Sequence, residues 1–411
     1  MPAPSSAAQK LYTSAKNDIL QVRSLLKSGR TQSSVGSGFL IGTSNLVVTN
    51  YHVVSQFALD PDTYVGEWVD TSGQRGNVEL LAVDVLHDLA VLRVSRDGTG
   101  FFTMPAQLAT LTQGQYLYSL GNPLDLGFAI SEGAYNGVIA RSSYDQLLFT
   151  GPINSGMSGG PSVTVDGALA GINVSKRLDG ELVSFLVPAR YAQQLLKQVE
   201  QQLAQRLAAP KDFRPLVTNQ LLAHQRTMVD QLLATPLTLK SMGPYQVPVR
   251  ESEQMRCWGR SNVKAETPFT IDNTSCAMES AVFISGSLQT GQIAIRHQFL
   301  RSTTLDPIRF AELAGSSFKN ENFGGYKEGP LTGPRCTEQF VKNRTLPLRA
   351  VLCVRAYRKF AGLYDFALLT ASTDHALMSL QSRLDARGVS YENGMRLSRV
   401  MLTSLGRGNT P

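Results

Sequence analysis

Asn154-Ser155-Gly156-Met157-Ser158-Gly159-Gly160-Pro161, residues 154–161, is a run of small residues with one serine between glycines. Such a run makes a tight turn, and it also meets the needs of an exposed nucleophile. Gly156 lets the backbone turn so that two amide N–H groups face one hole, while Gly159 and Gly160 keep bulk away from the hydroxyl. A serine hydroxyl is a weak nucleophile at neutral pH. It needs a neighbouring base, and the base needs a carboxylate to fix its tautomer. Both are present upstream: His52 directly follows the apolar run Leu46-Val47-Val48-Thr49, and Asp88 directly precedes Leu89-Ala90-Val91-Leu92. A histidine after a strand is ordinarily structural, and an aspartate before one is ordinarily a turn residue. The set His52, Asp88 and Ser158, in that order and 36 and 70 residues apart, is far more specific than any member. Asp84 is the rival carboxylate.

Around this constellation the first half reads as short β-like runs punctuated by glycine. They include Ser37–Ile41, Leu46–Thr49, Ala82–Val85, Leu89–Val94, Tyr116–Leu120, Leu147–Thr150 and Ala168–Val174, the pattern of an all-β sandwich or barrel. The texture changes near residue 190. Leu195, Val199, Leu203 and Leu207 recur at a helical period, Pro210 ends that run, and Arg214–Leu233 reads as a second helix. β-like runs return over 240–370, and Asp374–Arg387 reads as a third helical stretch. Charge divides at the same place, with a net of −3 over residues 1–195 and +10 over 196–411. All four cysteines, Cys257, Cys276, Cys336 and Cys353, lie in the second half. With 411 residues, 42% hydrophobic and 17% charged, the chain suits two or three folded domains and excludes wholesale disorder. It contains no apolar run long enough for a membrane-spanning helix, and residues 1–10 lack the apolar stretch of a signal peptide.

Several motifs resemble those of HtrA/Deg-type proteases, a bacterial branch of the chymotrypsin-like (trypsin-like) serine proteases. They are Gly36-Ser37-Gly38-Phe39-Leu40-Ile41, Val48-Thr49-Asn50-Tyr51-His52-Val53-Val54, Asp88–Leu92, Gly121-Asn122-Pro123-Leu124, Gly156–Pro161, Gly171-Ile172-Asn173 and Phe185-Leu186-Val187-Pro188. The resemblance covers about residues 33–195. It implies a mainly β fold, a double six-stranded β-barrel with the site between barrels, and an acyl-enzyme peptidase needing no cofactor. His52 would be the general base, Asp88 its orienting carboxylate, Ser158 the nucleophile, and the N–H groups of Gly156 and Ser158 the oxyanion hole. Asp84 matches an acidic position that often precedes the catalytic aspartate in the family, so Asp88 is retained. The substrate pocket is expected around Pro152, Ile153, Asn154, Ile172 and Asn173. Trypsin's basic-specific aspartate lies six residues before its nucleophile; Pro152 holds that position here, which favours a small to medium apolar residue over a basic one. Lys176, Arg177 and Asp179 are expected on a solvent-facing loop beyond. Met157 departs from the family's usual asparagine, and nothing after residue 200 reads like a peptide-binding PDZ domain.

The expected organisation is an N-terminal extension at 1–32, a trypsin-like protease domain at 33–195, a helical linker at 196–238 and a disulfide-containing basic α+β domain at 239–411. The four cysteines lack C-x-x-C spacing, and His224, His297 and His375 fall outside metal-ligand spacing, which speaks against zinc. Two disulfides admit three connectivities; Cys257–Cys276 with Cys336–Cys353 is favoured as nearest-neighbour pairing. Together with the resemblance they point to a periplasmic or secreted protein whose leader has been removed. Protein or peptide substrates are the expected partners. The basic half suggests an anionic partner, with Arg355, Arg358 and Lys359 around Tyr357 and Phe360, although no nucleic-acid motif accompanies them. The other reading is a protease-like binding or chaperone module, or a scaffold, whose triad is idle at rest.

Overall fold

The computed structural model describes residues 5–104, 110–139, 144–176, 182–262, 267–286, 288–318, 329–343 and 346–408. The chain divides into two units, Met1–Val217 with Phe283–Ser287, and Thr218–Val282 with Leu288–Pro411.

The first unit is built from two β-sheets. Strands β1 (Ile19–Leu26), β2 (Gln32–Leu40), β3 (Leu46–Thr49), β4 (Tyr64–Val69), β5 (Arg75–Asn77), β6 (Glu79–Asp84) and β7 (Leu89–Arg93) make a seven-stranded sheet ordered β5-β4-β1-β2-β3-β7-β6. A closed six-stranded barrel follows, formed by β8 (Tyr116–Gly121), β9 (Ala129–Ile139), β10 (Gln146–Phe149), β11 (Pro161–Val163), β12 (Leu169–Lys176) and β13 (Ser184–Pro188). The first sheet thus has seven strands where six are expected. The stretch 1–32 is not a separate extension: α1 (Ser6–Ala15) buries Ala8, Leu11 and Ala15 in the core, and β1 pairs with both β2 and β4. One hydrophobic core runs through both sheets, with Phe39, Val48, Leu89, Val91, Leu120, Val163, Ile172 and Val187. Helix α3 (Ala189–Ala204) closes it by burying Ala192, Leu195, Leu196 and Val199, so the first part of the expected linker is packed into this unit.

In the second unit a seven-stranded antiparallel sheet runs in the order 255–261, 269–278, 292–302, 378–389, 364–372, 346–356 and 335–343. The helix expected at Asp374–Arg387 is a strand, Met378–Val389. Its apolar residues Leu380, Leu384 and Ala386 face the core while Gln381, Arg383, Asp385 and Arg387 take the other side, a period of two. The helix comes later, over Tyr391–Ser404, where the Ser390 hydroxyl caps it by accepting from the Asn393 N–H. Arg355, Tyr357 and Phe360 are buried. Arg355 forms an interior ion pair with Asp365, which also accepts from the Tyr357 hydroxyl at 2.8 Å. These side chains therefore hold the sheet together and do not present a stacking surface.

Two disulfides, Cys257–Cys276 and Cys336–Cys353, join directly opposed residues and tie each edge strand of this sheet to its neighbour. They close loops with sequence separations of 19 and 17 residues. In the chain-entropy account each stabilises the fold by about 3 kcal/mol. Reduction should therefore lower the denaturant midpoint of the second unit while leaving that of the first unchanged. Unfolding monitored by tryptophan fluorescence separates them, because Trp68 lies in the first unit and Trp258 in the second.

Candidate active site

His52 opens helix α2 (Tyr51–Leu59), which starts directly after β3, and Asp88 ends the turn that leads into β7. β3 and β7 are paired, with Thr49 opposite Ala90, so the two turns meet at one end of the sheet. Asp88 has φ 54°, a left-handed conformation that non-glycine residues seldom adopt. Three consecutive residues hold it there. Its carbonyl accepts from the Tyr51 N–H (3.1 Å) and from Asn50 Nδ2 (2.7 Å). Its carboxylate accepts from the His52 N–H (2.8 Å) and lies 2.6 Å from His52 Nδ1. Burial pushes the His52 imidazole down, but the charge and hydrogen bond of Asp88 more than offset this, and its pKa lies above the ordinary 6.5. The side chain keeps 30% of its surface open, enough to meet a substrate.

Asp84 does not compete for His52, because its Oδ2 lies 2.6 Å from Nδ1 of His87. That second ring is stacked on Tyr191, with centroids 3.7 Å apart. Around the first pair, Tyr51 and Tyr144 have pKa values pushed up by burial, with the charge of Asp88 adding to the rise, so both phenols are neutral. Within this unit the Tyr51 hydroxyl donates to the Ile284 carbonyl at 2.9 Å, and the Phe283 ring stands edge-on 6.0 Å from the His52 ring. No sequence signal marked Phe283.

Ser158 lies on the loop before β11. Its Oγ donates to the Val174 carbonyl at 3.3 Å, and among the described residues it makes no hydrogen bond to His52. The loop's carbonyls are held from behind. Ser155 O accepts from the Leu124 N–H (2.7 Å), and Met157 O accepts from the Gly160 N–H (3.0 Å) and from Asn173 Nδ2 (3.2 Å). In a trans peptide N–H and C=O point opposite ways, so the N–H groups of Gly156 and Ser158 are turned to the other side. Among the described residues neither of these two donors has a protein acceptor. Gly156 has φ +92°, and a Cβ there would lie 2.3 Å from the Asn122 carbonyl. Gly159 also has positive φ, and its Cβ would meet Ser37 O at 2.2 Å. Close backbone approach to β2, more than access to the hydroxyl, is what requires glycine at 159.

Of the expected pocket residues, Pro152 is exposed and Asn154 partly buried. Ile153 and Ile172 are buried in hydrophobic clusters. Asn173 is fully buried, its Oδ1 accepting from the Ser119 (2.7 Å) and Ser162 (2.8 Å) hydroxyls and its Nδ2 donating to Leu120 O (3.0 Å) and Met157 O. All three side chains are buried in the interior, Ile153 from the loop before Ser158 and Ile172 and Asn173 from β12. Met157 packs in the barrel core, which accounts for an apolar residue beside Ser158. Arg177 and Asp179 lie outside the described residues. No group of metal-ligating side chains occurs among the described residues.

Asp88→Asn removes the carboxylate charge that raises the His52 pKa and leaves burial, which lowers it. Histidine titration by NMR should therefore show the His52 midpoint fall in Asp88→Asn and stay in place in Asp84→Asn.

A family model described as a trypsin-like peptidase domain matches residues 36–172. A probable periplasmic serine endoprotease, DegP-like, from Bartonella henselae is 31% identical over 193 residues, covering 45% of this chain and 37% of that protein. Human serine protease HTRA4 is 27% identical over 176 residues, covering 39% and 34%. A solved serine endoprotease from Yersinia pestis is 24% identical with a TM-score of 0.41, covering 48% of this chain and 68% of that one. The chain spans little more than a third of the length of these two curated relatives. Residues 36–172 of this chain are a trypsin-like peptidase domain whose relatives are HtrA/Deg-type serine proteases.

Proposed function

We propose that this protein is a serine endopeptidase that cleaves protein substrates through an acyl-enzyme. The observation that carries the reading is the His52–Asp88 pair, gripped at both backbone and side chain, together with a serine loop whose Gly156 and Ser158 N–H groups have no protein acceptor among the described residues. Asp88 accepts from Nδ1–H and so leaves Nε2 of His52 as the basic nitrogen. For catalysis the Ser158 hydroxyl leaves Val174 O and donates to that nitrogen. The hydroxyl oxygen then attacks the scissile carbonyl while its proton passes to Nε2. The carbonyl oxygen takes up negative charge and accepts hydrogen bonds from the Gly156 and Ser158 N–H groups. His52 returns the proton to the leaving amine, and water repeats the sequence to release the acid. No cofactor enters these steps.

Pro152, exposed and uncharged, supports a substrate residue other than lysine or arginine before the cleaved bond. Two disulfides, with relatives named periplasmic, support an extracytoplasmic location. No described helix is long and apolar enough to cross a membrane. The net charge of +10 over residues 196–411 supports an anionic surface partner for the second half, with nucleic acid ranked below other polyanions.

Ser158→Ala should abolish casein hydrolysis while leaving the thermal midpoint close to that of the parent. Substantial residual turnover by the variant would refute Ser158 as nucleophile. The rate should rise with pH as His52 loses its proton, with a midpoint above 6.5 because Asp88 favours the charged ring. A midpoint below that value, measured as kcat/KM on a peptide substrate, would contradict the assignment.

A further inference from the structure

Ser37 stands in β2 within Gly36-Ser37-Gly38, a stretch to which the catalytic steps assign no task. It is fully buried, and every polar group it has is engaged with the parts that build the site. Its N–H donates to Ser158 O at 2.7 Å, and its carbonyl accepts from Thr49 Oγ1 at 2.7 Å. Its hydroxyl donates to Gly156 O at 2.6 Å and accepts from the Asn122 N–H at 2.9 Å. A hydroxyl can donate one hydrogen bond and accept others at the same time. No apolar side chain of that size could bridge these two backbone groups.

We propose that Ser37 is the positioning residue of the oxyanion hole, its hydroxyl fixing the Gly156–Met157 peptide that lies between the two N–H donors. The inference rests on the peptidase reading above and adds to it a residue that touches no substrate. The need for such a tie follows from Gly156. A glycine at positive φ turns more freely than any other residue, so the peptide on its C-terminal side requires restraint from outside the loop. The Met157 N–H is held locally by Asn154 O at 3.0 Å; the opposite edge of that peptide, Gly156 O, is held by Ser37 from the other sheet. The neighbouring bond from Ser37 N–H to Ser158 O sets the far side of the nucleophile in the same way. β2 thus grips the loop at two carbonyls, and only the hydroxyl grip can be removed by changing a side chain.

The test compares the parent with Ser37→Ala and Ser37→Cys, the latter keeping size and a weak donor. Each kcat is normalised to the sites titrated by a fluorophosphonate. Displaced oxyanion donors cost about 10–100-fold in turnover. Ser37→Ala should lose that much kcat with KM nearly constant and bind a peptide boronate correspondingly less well, while Ser37→Cys falls between. The pH midpoint should not move, since Ser37 touches neither His52 nor Asp88. Unchanged kcat per titrated site, or a change confined to KM, would overturn the proposal. Hydrogen exchange over residues 153–160 reads the same restraint without any turnover. It should accelerate in Ser37→Ala and not elsewhere in the barrel, and unchanged exchange there would overturn the proposal. A parent protein that neither hydrolyses peptides nor takes the label would sink the peptidase reading, and the exchange data would still decide the role of Ser37.

Discussion

The arrangement of the site depends on how Asp88 is held. At φ 54° it occupies backbone space that costs an ordinary residue free energy, and it persists because Asn50, Tyr51 and His52 together make four bonds to it. Those three residues start a helix directly after β3, and Asp88 sits directly before the partner strand β7. Strand pairing therefore brings the carboxylate to the imidazole, and the imidazole's own backbone N–H locks it there. The electrostatic result is a histidine whose burial would disfavour charge and whose carboxylate restores it. In the proposed mechanism that balance suits a base that accepts a proton from Ser158 and gives it up again.

A second constraint joins the two sheets. Ser37 on β2 and Asn173 on β12 both end their hydrogen bonds on backbone carbonyls of the loop at 156–158. Asn173 satisfies all four of its side-chain hydrogen-bonding positions, two hydroxyls and two carbonyls, inside the barrel. A buried amide this fully engaged is rigid, since releasing any partner leaves an unpaired polar group in the interior. The loop at 156–158 is accordingly held from both sheets.

Much of this was legible in the sequence, for identifiable reasons. His52, Asp88 and Ser158 each border a short apolar run, and turns next to strands are where such residues converge. Asp84 against Asp88 could be ranked but not decided along the chain, because each carboxylate has a histidine within reach, Asp84 meeting His87 and Asp88 meeting His52 only in the folded chain. Ile153, Ile172 and Asn173 are buried although they lie close to Ser158 along the chain, since proximity in sequence does not say which way a side chain faces. Met378–Val389 is a strand although its Leu380 and Leu384 are spaced as they would be on one face of a helix. Only the intervening Gln381, Arg383 and Asp385, all on the opposite face, separate period two from period 3.6. The pairing of the cysteines came out as nearest neighbours because each pair belongs to one antiparallel couple of strands.

The central claim is that Ser158 is activated by His52. The most direct measurement is fluorophosphonate labelling of the folded chain at neutral pH, followed by mass mapping of the adduct. The account predicts a single adduct on Ser158 that disappears in His52→Ala. An unlabelled native protein, or an adduct that persists when His52 is removed, would contradict it.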